Sequence, residues 1–175
     1  LSDMGLTKGT YVLMTMHRPS NVDKKEGLEV LIEMIKSITS NYKLVFPIHP
    51  RTVAKLKDFD LWAKIENLDG LIFSEPLDYF AFQKLTADSA FVVTDSGGIQ
   101  EETTYRGIPC LTLRNNTERP STIDIGSNVL VQYTLKDLET EIQKIQNGTF
   151  KKGGIPPLWD GKSTDRILKI LDSIL

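Results

Sequence analysis

Short runs rich in β-branched and aromatic residues alternate with longer segments of helical periodicity along almost the whole chain. The runs typical of buried strands are residues 10–17, 44–48, 71–74, 90–94, 109–113 and 128–132. The segments with helical spacing are residues 28–38, 53–57, 61–67, 79–87, 97–106, 135–146 and 164–175. This alternation predicts an α/β fold, a Rossmann-like doubly wound parallel sheet with helices on both faces. In such a fold the ligand is expected at the carboxyl ends of the strands.

Two residues carry more local predictions about these elements. Asp23 is of the type that caps helix N-termini, so we expect it to begin the helix over residues 28–38. Pro47 lacks a backbone N–H group. Either the strand over residues 44–48 lies at an edge of the sheet, or the proline lies at the end of that strand.

The composition is that of one globular domain, with 175 residues of which 40% are hydrophobic. Lysine and arginine number 21 against 23 acidic residues, and the net charge of −2 offers no basic surface for nucleic acid or an anionic membrane. The single Cys110 excludes an internal disulfide framework and a cysteine-based zinc site. With two histidines and one cysteine, no cluster has metal-ligand spacing, so neither a metal nor another cofactor is expected.

The sequence also bears on location and completeness. No run of apolar residues is long enough to span a membrane, and the N-terminus lacks the pattern of a signal peptide. A cytoplasmic location is therefore expected. Because the chain begins with Leu, we expect it to be a fragment of a longer protein.

A glycine pair follows the strand over residues 90–94, in the sequence Asp95-Ser96-Gly97-Gly98. Glycines let a ligand approach the backbone closely, and the helix that follows presents free N–H groups and a positive dipole end. The turn is thus suited to a phosphate, with the Ser96 hydroxyl as a further donor and Glu102 placed to accept hydrogen bonds from a ribose diol. The alternative is a tight turn whose acidic residues merely favour the helix N-terminus.

Donor-rich residues follow other strands at the same predicted edge. His17 and Arg18 end the first strand and suit a diphosphate, although such a pair is commonly a solvated loop. His49 ends the second strand, where a structural role is favoured. Arg119 lies after the strand over residues 109–113, either near the same crevice or in a solvated turn. Phe82 belongs to an aromatic segment that either lines a base pocket or packs in the core.

Five segments in order, TMHRPSN, HPR, PLDYFAF, DSGGIQEE and RNNTERP, resemble the carboxyl-terminal domain of the non-hydrolysing UDP-N-acetylglucosamine 2-epimerases. The resemblance covers essentially the whole chain. It implies that residues 1–175 are the nucleotide-binding domain of a two-domain enzyme in the glycosyltransferase-B arrangement, with the active site between the domains. It also implies interconversion of UDP-GlcNAc and UDP-ManNAc, by elimination of UDP and its re-addition.

The resemblance further implies roles for individual residues. Ser96, Gly97 and Gly98 would bind the diphosphate through the hydroxyl and backbone N–H groups, and Glu102 would take the ribose hydroxyls. Phe82 would lie at the uracil, and Arg119 would contact the nucleotide. His17 would stabilise the departing diphosphate. His49 is a candidate for a regulatory UDP-GlcNAc site.

The chain departs from the family pattern at two positions and lacks one part. Ser20 stands where a glutamate is usual, and Leu77 stands where some members have glutamine.

The carboxylates that handle the C2 proton in the family belong to the amino-terminal domain. This chain alone is therefore expected to be inactive, with its own amino-terminal domain as a partner and a homodimer as the full-length assembly. The last helix is expected to expose part of its apolar face where that domain is missing.

Two other functions remain open at this point. A nucleotide-sugar-dependent glycosyltransferase of the same architecture would share the diphosphate and ribose contacts, and fold alone does not separate it from an epimerase. A non-catalytic UDP-sugar-binding module would bind the ligand without turnover.

Overall fold

The structure is a computed structural model that describes residues 4–174. The strands are β1 (Tyr11–Thr15), β2 (Lys43–Pro47), β3 (Leu71–Ser74), β4 (Phe91–Thr94), β5 (Cys110–Leu113) and β6 (Asn128–Val131). The helices are α1 (Pro19–Val22), α2 (Lys25–Thr39), α3 (Pro50–Asp58), α4 (Tyr79–Asp88), α5 (Gly97–Arg106), α6 (Pro120–Asp124), α7 (Leu135–Gln146) and α8 (Ser163–Asp172). No helix within residues 4–174 is long and apolar enough to cross a membrane.

The strands form one parallel sheet in the order β3-β2-β1-β4-β5-β6. The chain starts at β1 in the middle, adds strands outward to β3, and then returns to add β4 to β6 on the other side. This order is that of a doubly wound Rossmann fold, as predicted. The order reverses between β1 and β4, which pair in register with Val12 opposite Phe91. A crevice opens at such a point because the connections leave in opposite directions.

The hydrophobic core lies in two layers, one on each face of the sheet. Alternate residues of a strand point to opposite faces. Met14 accordingly packs in the layer that includes Leu31 and Ile35 of α2, while Leu13 packs in the layer that includes Ile99 of α5. These side chains are almost fully buried, and burying each contributes about 1.5–3 kcal/mol. The packed sheet gives the loops at its carboxyl edge a rigid base.

The helix predicted over residues 28–38 is confirmed as part of α2, but the prediction that Asp23 caps it is wrong. Asp23 ends the short helix α1, and α2 begins at Lys25 after Lys24. The Asp23 carboxylate instead accepts two hydrogen bonds from the Arg51 guanidinium, at 2.8 and 2.5 Å. The reason is α1 itself, which a proline at its first position starts and which uses the residues between β1 and α2.

Three further differences concern short elements. Pro47 is the last residue of β2, which lies inside the sheet between β3 and β1, so the second of the two predicted alternatives is correct. Residues 61–67 hold only a 3-10 turn at Trp62–Lys64 rather than the predicted helix. The helix α6 occupies part of the predicted loop after β5 and again begins with a proline.

The last helix, α8, has no buried residue within its described length. Its apolar side chains are between 48% and 73% exposed at Ile167, Leu168, Ile170, Leu171 and, just beyond the helix, Ile174. The predicted exposure of this face is therefore observed. The end of the predicted helix at residue 175 lies outside the described residues.

Candidate functional site

Loops from several strands meet at the carboxyl edge of the sheet, around the point where the strand order reverses. Between β1 and the β3–α4 loop lies a small cavity of about 190 Å³. The rings of His17 and His49 lie next to each other, with centroids 6.0 Å apart. The cavity is lined by Thr15, Met16, His17, Pro47, His49, Pro76, Leu77 and Phe82. Three residues singled out from the sequence, His17, His49 and Phe82, therefore share one cavity.

Asp95 holds the loop after β1, and the sequence analysis assigned it no role. Its carboxylate is fully buried. Oδ2 accepts hydrogen bonds from the backbone N–H groups of His17 (3.1 Å) and Arg18 (2.9 Å) and from Asn21 Nδ2 (3.2 Å). Oδ1 lies 3.0 Å from His17 Nδ1. A single buried carboxylate thus fixes both the backbone of this loop and the His17 ring.

Further bonds make the same loop rigid. The Arg18 guanidinium donates to the Asp95 carbonyl oxygen at 2.8 Å, and Asn21 Nδ2 also donates to the carbonyl of Leu113. The Tyr133 hydroxyl donates to the Gly27 carbonyl in the following helix α2 at 3.0 Å and lies 3.5 Å from the Asn21 carbonyl. Burial, with a smaller effect of the Asp95 charge, raises the pKa of Tyr133, so its hydroxyl keeps its proton and remains a donor.

The turn before α5 leaves backbone donors open. Ser96 occupies the N-cap position of α5, and in the described chain its side chain makes no capping hydrogen bond. The first N–H groups of a helix have no partner within the helix. A Cβ atom added at Gly98 would have no heavy atom within 4 Å among the described residues, so the backbone there is open to a ligand. The turn thus leaves backbone donors accessible, and an anion bound there stays a prediction.

Gly97 is constrained in a different way, by the side chain of Arg119. A Cβ atom at Gly97 would lie 2.5 Å from Arg119 Nη1 and 2.7 Å from Glu118 Oε1. Arg119 forms ion pairs with Glu101 at 2.9 Å and with Glu118 at 2.5 Å. The guanidinium therefore lies directly over the glycine turn, as expected if it belongs to the same crevice.

The electrostatics of this loop are set by paired charges. A hydrogen bond from Arg114 lowers the pKa of Glu118 to about 2, with Arg119 adding a smaller effect. The partnership with Glu101 raises the pKa of Arg119. Arg119 is thus a cation held by two carboxylates, and an anion bound at the turn would meet the same guanidinium.

A second residue that the sequence analysis missed, Gln100, joins the Arg119 loop to the glycine turn. Gln100 is fully buried. Its Oε1 accepts from the Thr117 hydroxyl at 2.7 Å, and that hydroxyl oxygen accepts from the Arg119 backbone N–H at 3.0 Å. Its Nε2 donates to the Ser96 carbonyl at 3.2 Å. One amide side chain thus connects the two loops that carry Ser96 and Arg119.

The remaining predicted residues lie as follows. Glu102 is partly buried on α5 and follows Gly98 by four residues, so both belong to one face of the helix. Phe82 on α4 packs against the core layer of Leu13, which is one of the two alternatives raised for it, and it also lines the cavity. Its place at a base stays a prediction. His49 caps α3, with its Nδ1 accepting from the Arg51 N–H at 3.1 Å, which is the structural role favoured above.

Within residues 4–174 no group of three or more His, Cys, Asp or Glu residues is arranged to hold a metal ion.

The strand order and the polar crevice at its reversal define the class of protein, a Rossmann-like doubly wound α/β domain. The sequence matches the family described as UDP-N-acetylglucosamine 2-epimerase over residues 1–172. The chain belongs to that family, and the predicted resemblance is confirmed.

Relatives of known structure support this assignment. A UDP-N-acetylglucosamine 2-epimerase from Methanocaldococcus jannaschii is 40% identical over 163 residues, which cover 92% of this chain and 44% of the relative. The crystal structure of M. jannaschii UDP-GlcNAc 2-epimerase in complex with UDP-GlcNAc and UDP has a TM-score of 0.85 and 37% identity, covering 98% of this chain and 48% of that one. The chain thus spans about half the length of these relatives.

A more distant similarity concerns the fold alone. The E. coli heptosyltransferase WaaC, solved with ADP, has a TM-score of 0.56 and 17% identity, covering 81% of this chain and 45% of that one. The shared fold therefore extends to a glycosyltransferase.

Proposed function

We propose that this chain is the nucleotide-binding half of a UDP-N-acetylglucosamine 2-epimerase. The observation that carries the proposal is the open turn at Ser96–Gly98, with His17 held at the neighbouring strand end, in a chain of this family. The M. jannaschii relative with UDP-GlcNAc and UDP bound makes a UDP-sugar the natural ligand for this crevice.

The diphosphate would bind at the turn before α5. The backbone N–H groups of Gly97 and Gly98, in the first turn of α5, and the Ser96 hydroxyl are donors for phosphate oxygens, and the positive end of the α5 dipole adds to their effect. Arg119, already placed over Gly97, would exchange a carboxylate partner for a phosphate oxygen. Glu102, on the same face of α5 as Gly98, would accept hydrogen bonds from the ribose hydroxyls.

The base and the reacting bond would lie on the other side of the crevice. Phe82 and the small cavity next to β1 would hold the uracil. His17 would lie at the β-phosphate, where negative charge develops as the bond between the sugar C1 and the phosphate oxygen breaks. Loss of the C2 proton completes the elimination to a 2-acetamidoglucal and UDP. Re-addition of UDP at C1 and of a proton at the opposite face of C2 gives the epimer.

The groups that move the C2 proton are proposed to belong to the other half of the enzyme. The exposed apolar face of α8 would pack against that amino-terminal domain. The regulatory role of His49 and the homodimer of the full-length enzyme stay predictions, as does the inactivity of this chain by itself.

A glycosyltransferase is the second candidate, favoured only by the shared fold with the heptosyltransferase. To separate the two, this chain would be fused to the amino-terminal half of the M. jannaschii relative and given UDP-GlcNAc without an acceptor. An epimerase forms UDP-ManNAc, whereas a transferase leaves the substrate intact until an acceptor is added.

The intact M. jannaschii relative is the positive control for this assay. The fusion with His17→Ala should lose turnover more than substrate affinity, because leaving-group charge develops only in the transition state. A fusion that binds UDP as the intact relative does, yet forms no UDP-ManNAc, would contradict the epimerase proposal.

A further inference from the structure

The two oxygens of the Asp95 carboxylate have largely different partners, although the His17 backbone N–H lies within hydrogen-bond distance of both, at 3.1 Å from Oδ2 and 3.3 Å from Oδ1. Oδ2 accepts from three nitrogen donors of the loop after β1, at 2.9 to 3.2 Å. Oδ1 lies 3.0 Å from the His17 ring nitrogen Nδ1. A carboxylate oxygen can only accept, so Nδ1 must carry the hydrogen in this contact.

We propose that Asp95 is a positioning residue that fixes the tautomer and the direction of the His17 imidazole. With Nδ1–H bonded to Asp95, Nε2 is the ring nitrogen left for a ligand in the crevice. This inference deepens the proposed function and rests on it for the identity of the ligand, a diphosphate oxygen. Asp95 would thereby direct Nε2 of His17 toward that oxygen.

His49 provides an internal reference, because its ring is expected in the opposite tautomer. Its Nδ1 accepts a hydrogen bond from the Arg51 backbone N–H at 3.1 Å, so this nitrogen cannot carry a hydrogen while the bond is made. Neutral His49 must therefore be the Nε2–H tautomer, whereas neutral His17 must be the Nδ1–H tautomer. The chain has only these two histidines, so both ring signals can be assigned with a single His49→Gln variant.

The substitution Asp95→Asn separates the anchoring of the loop from the control of the ring. The donors on Oδ2 require an acceptor, so the amide oxygen of the new side chain takes that position. Its NH₂ group then takes the place of Oδ1, so the longer 3.3 Å bond from the His17 backbone N–H is lost while the 3.1 Å bond to the other oxygen remains. This NH₂ group faces His17 Nδ1 and can only donate. The loop keeps its anchor while the ring is driven to the Nε2–H form, in the way that an amide in place of a carboxylate selects the wrong tautomer in a catalytic triad.

The test is the ¹⁵N spectrum of the histidine rings in this chain, recorded at alkaline pH in the range where the ring signals no longer change with pH. We expect opposite tautomers for the two rings in the native chain. Asp95→Asn should convert His17 to the Nε2–H form and leave His49 unchanged. Asp78→Asn, which alters the cap of α4 at the same edge of the sheet, is the matched control and should change neither ring.

Two results would overturn the proposal: an Nε2–H tautomer for His17 in the native chain, or an Asp95→Asn spectrum with His17 unchanged. The native spectrum alone decides the first point even where the variant fails to fold. A UDP titration of the same samples keeps the two claims apart. If the native chain binds UDP but lacks the predicted tautomers, or if Asp95→Asn leaves His17 unchanged, only the role of Asp95 is refuted. If the tautomers and their change in Asp95→Asn are as predicted but the native chain does not bind UDP, only the proposed ligand is refuted.

Discussion

At the residue scale, two adjacent glycines serve different ends. A side chain at Gly97 would displace the Arg119 guanidinium from its place over the turn, whereas the space around Gly98 is open in the described chain. Sequence reasoning identified the pair, together with His17 and Arg119, because these residues directly follow strands. It missed Asp95 and Gln100, whose partners lie up to 78 and 28 residues away along the chain. Such long-range pairing has no periodic signal in a single sequence.

Gly98→Ala should separate stability from binding. Alanine at this helical position should raise the free energy of unfolding by about 0.5–1 kcal/mol, because glycine loses more backbone entropy on folding. The added methyl group would stand between the backbone N–H groups and a phosphate. Loss of one hydrogen bond to a charged group, about 1.5–3 kcal/mol, weakens UDP binding about ten- to a hundredfold. Urea unfolding and calorimetry measure the two effects, and unchanged UDP affinity would place the diphosphate elsewhere.

Glu102→Ala should weaken UDP binding by about 1–3 kcal/mol, since it leaves ribose hydroxyls without their acceptor. Glu33→Ala removes an exposed glutamate of α2 that pairs with Lys36, and this control should leave the affinity unchanged. Titration of both variants with UDP gives the comparison. Equal affinities for the two variants would remove Glu102 from the ribose site.

Acid should loosen the loop that carries Arg119. The pKa of Glu118 falls from its ordinary value of 4.5 to about 2 because Arg114 donates to the carboxylate. The folded state then binds the proton less readily than the unfolded state, so the stabilisation is present above pH 4.5 and is lost as the pH falls toward 2. In Glu118→Gln this part of the pH dependence of unfolding should disappear. An unchanged acid profile would show that the ion pair contributes nothing in solution.

At the element scale, the strands and long helices could be predicted because their apolar periodicity extends over enough residues. The strand β4 and helix α5 have the predicted character and bounds within one residue. The helices α1 and α6 are only 4 and 5 residues long, too short for a periodic signal, and both begin at a proline. The apolar residues of segment 61–67 have helical spacing, yet this segment forms only a 3-10 turn, with the buried Leu61 and Ile65 on either side of it. Tertiary packing decided these short segments.

The exposed face of α8 predicts self-association of the isolated chain. Leu168 and Ile170 are 53% and 59% exposed, and the neighbouring apolar residues extend the patch. Leu168→Glu should reduce association in sedimentation experiments. It should change the free energy of unfolding by no more than about 0.5 kcal/mol, because Leu168 is about half exposed and lies outside the buried core. Lys169→Glu is the control on the same helix. Equal association of the native chain and Leu168→Glu would show that self-association does not involve this face of α8.

At the scale of the whole molecule, the sheet order brings together segments that are far apart in sequence. The loops after β1, β4 and β5 meet at one edge because β1 and β4 are neighbours at the reversal of the strand order. The fold class and the edge were predictable from the alternation of strands and helices. The cavity beside His17 and the placement of Arg119 over Gly97 depend on side-chain packing and emerged only from the structure.

The most direct test of the central claim, that this chain holds the nucleotide of a UDP-sugar, is a calorimetric titration with UDP, with UMP and ADP as controls. The account predicts micromolar to millimolar binding of UDP, weaker binding of UMP because it lacks the second phosphate, and weaker binding of ADP because the base differs. Absence of UDP binding, or equal affinities for UDP and UMP, would contradict a diphosphate site at Ser96–Gly98.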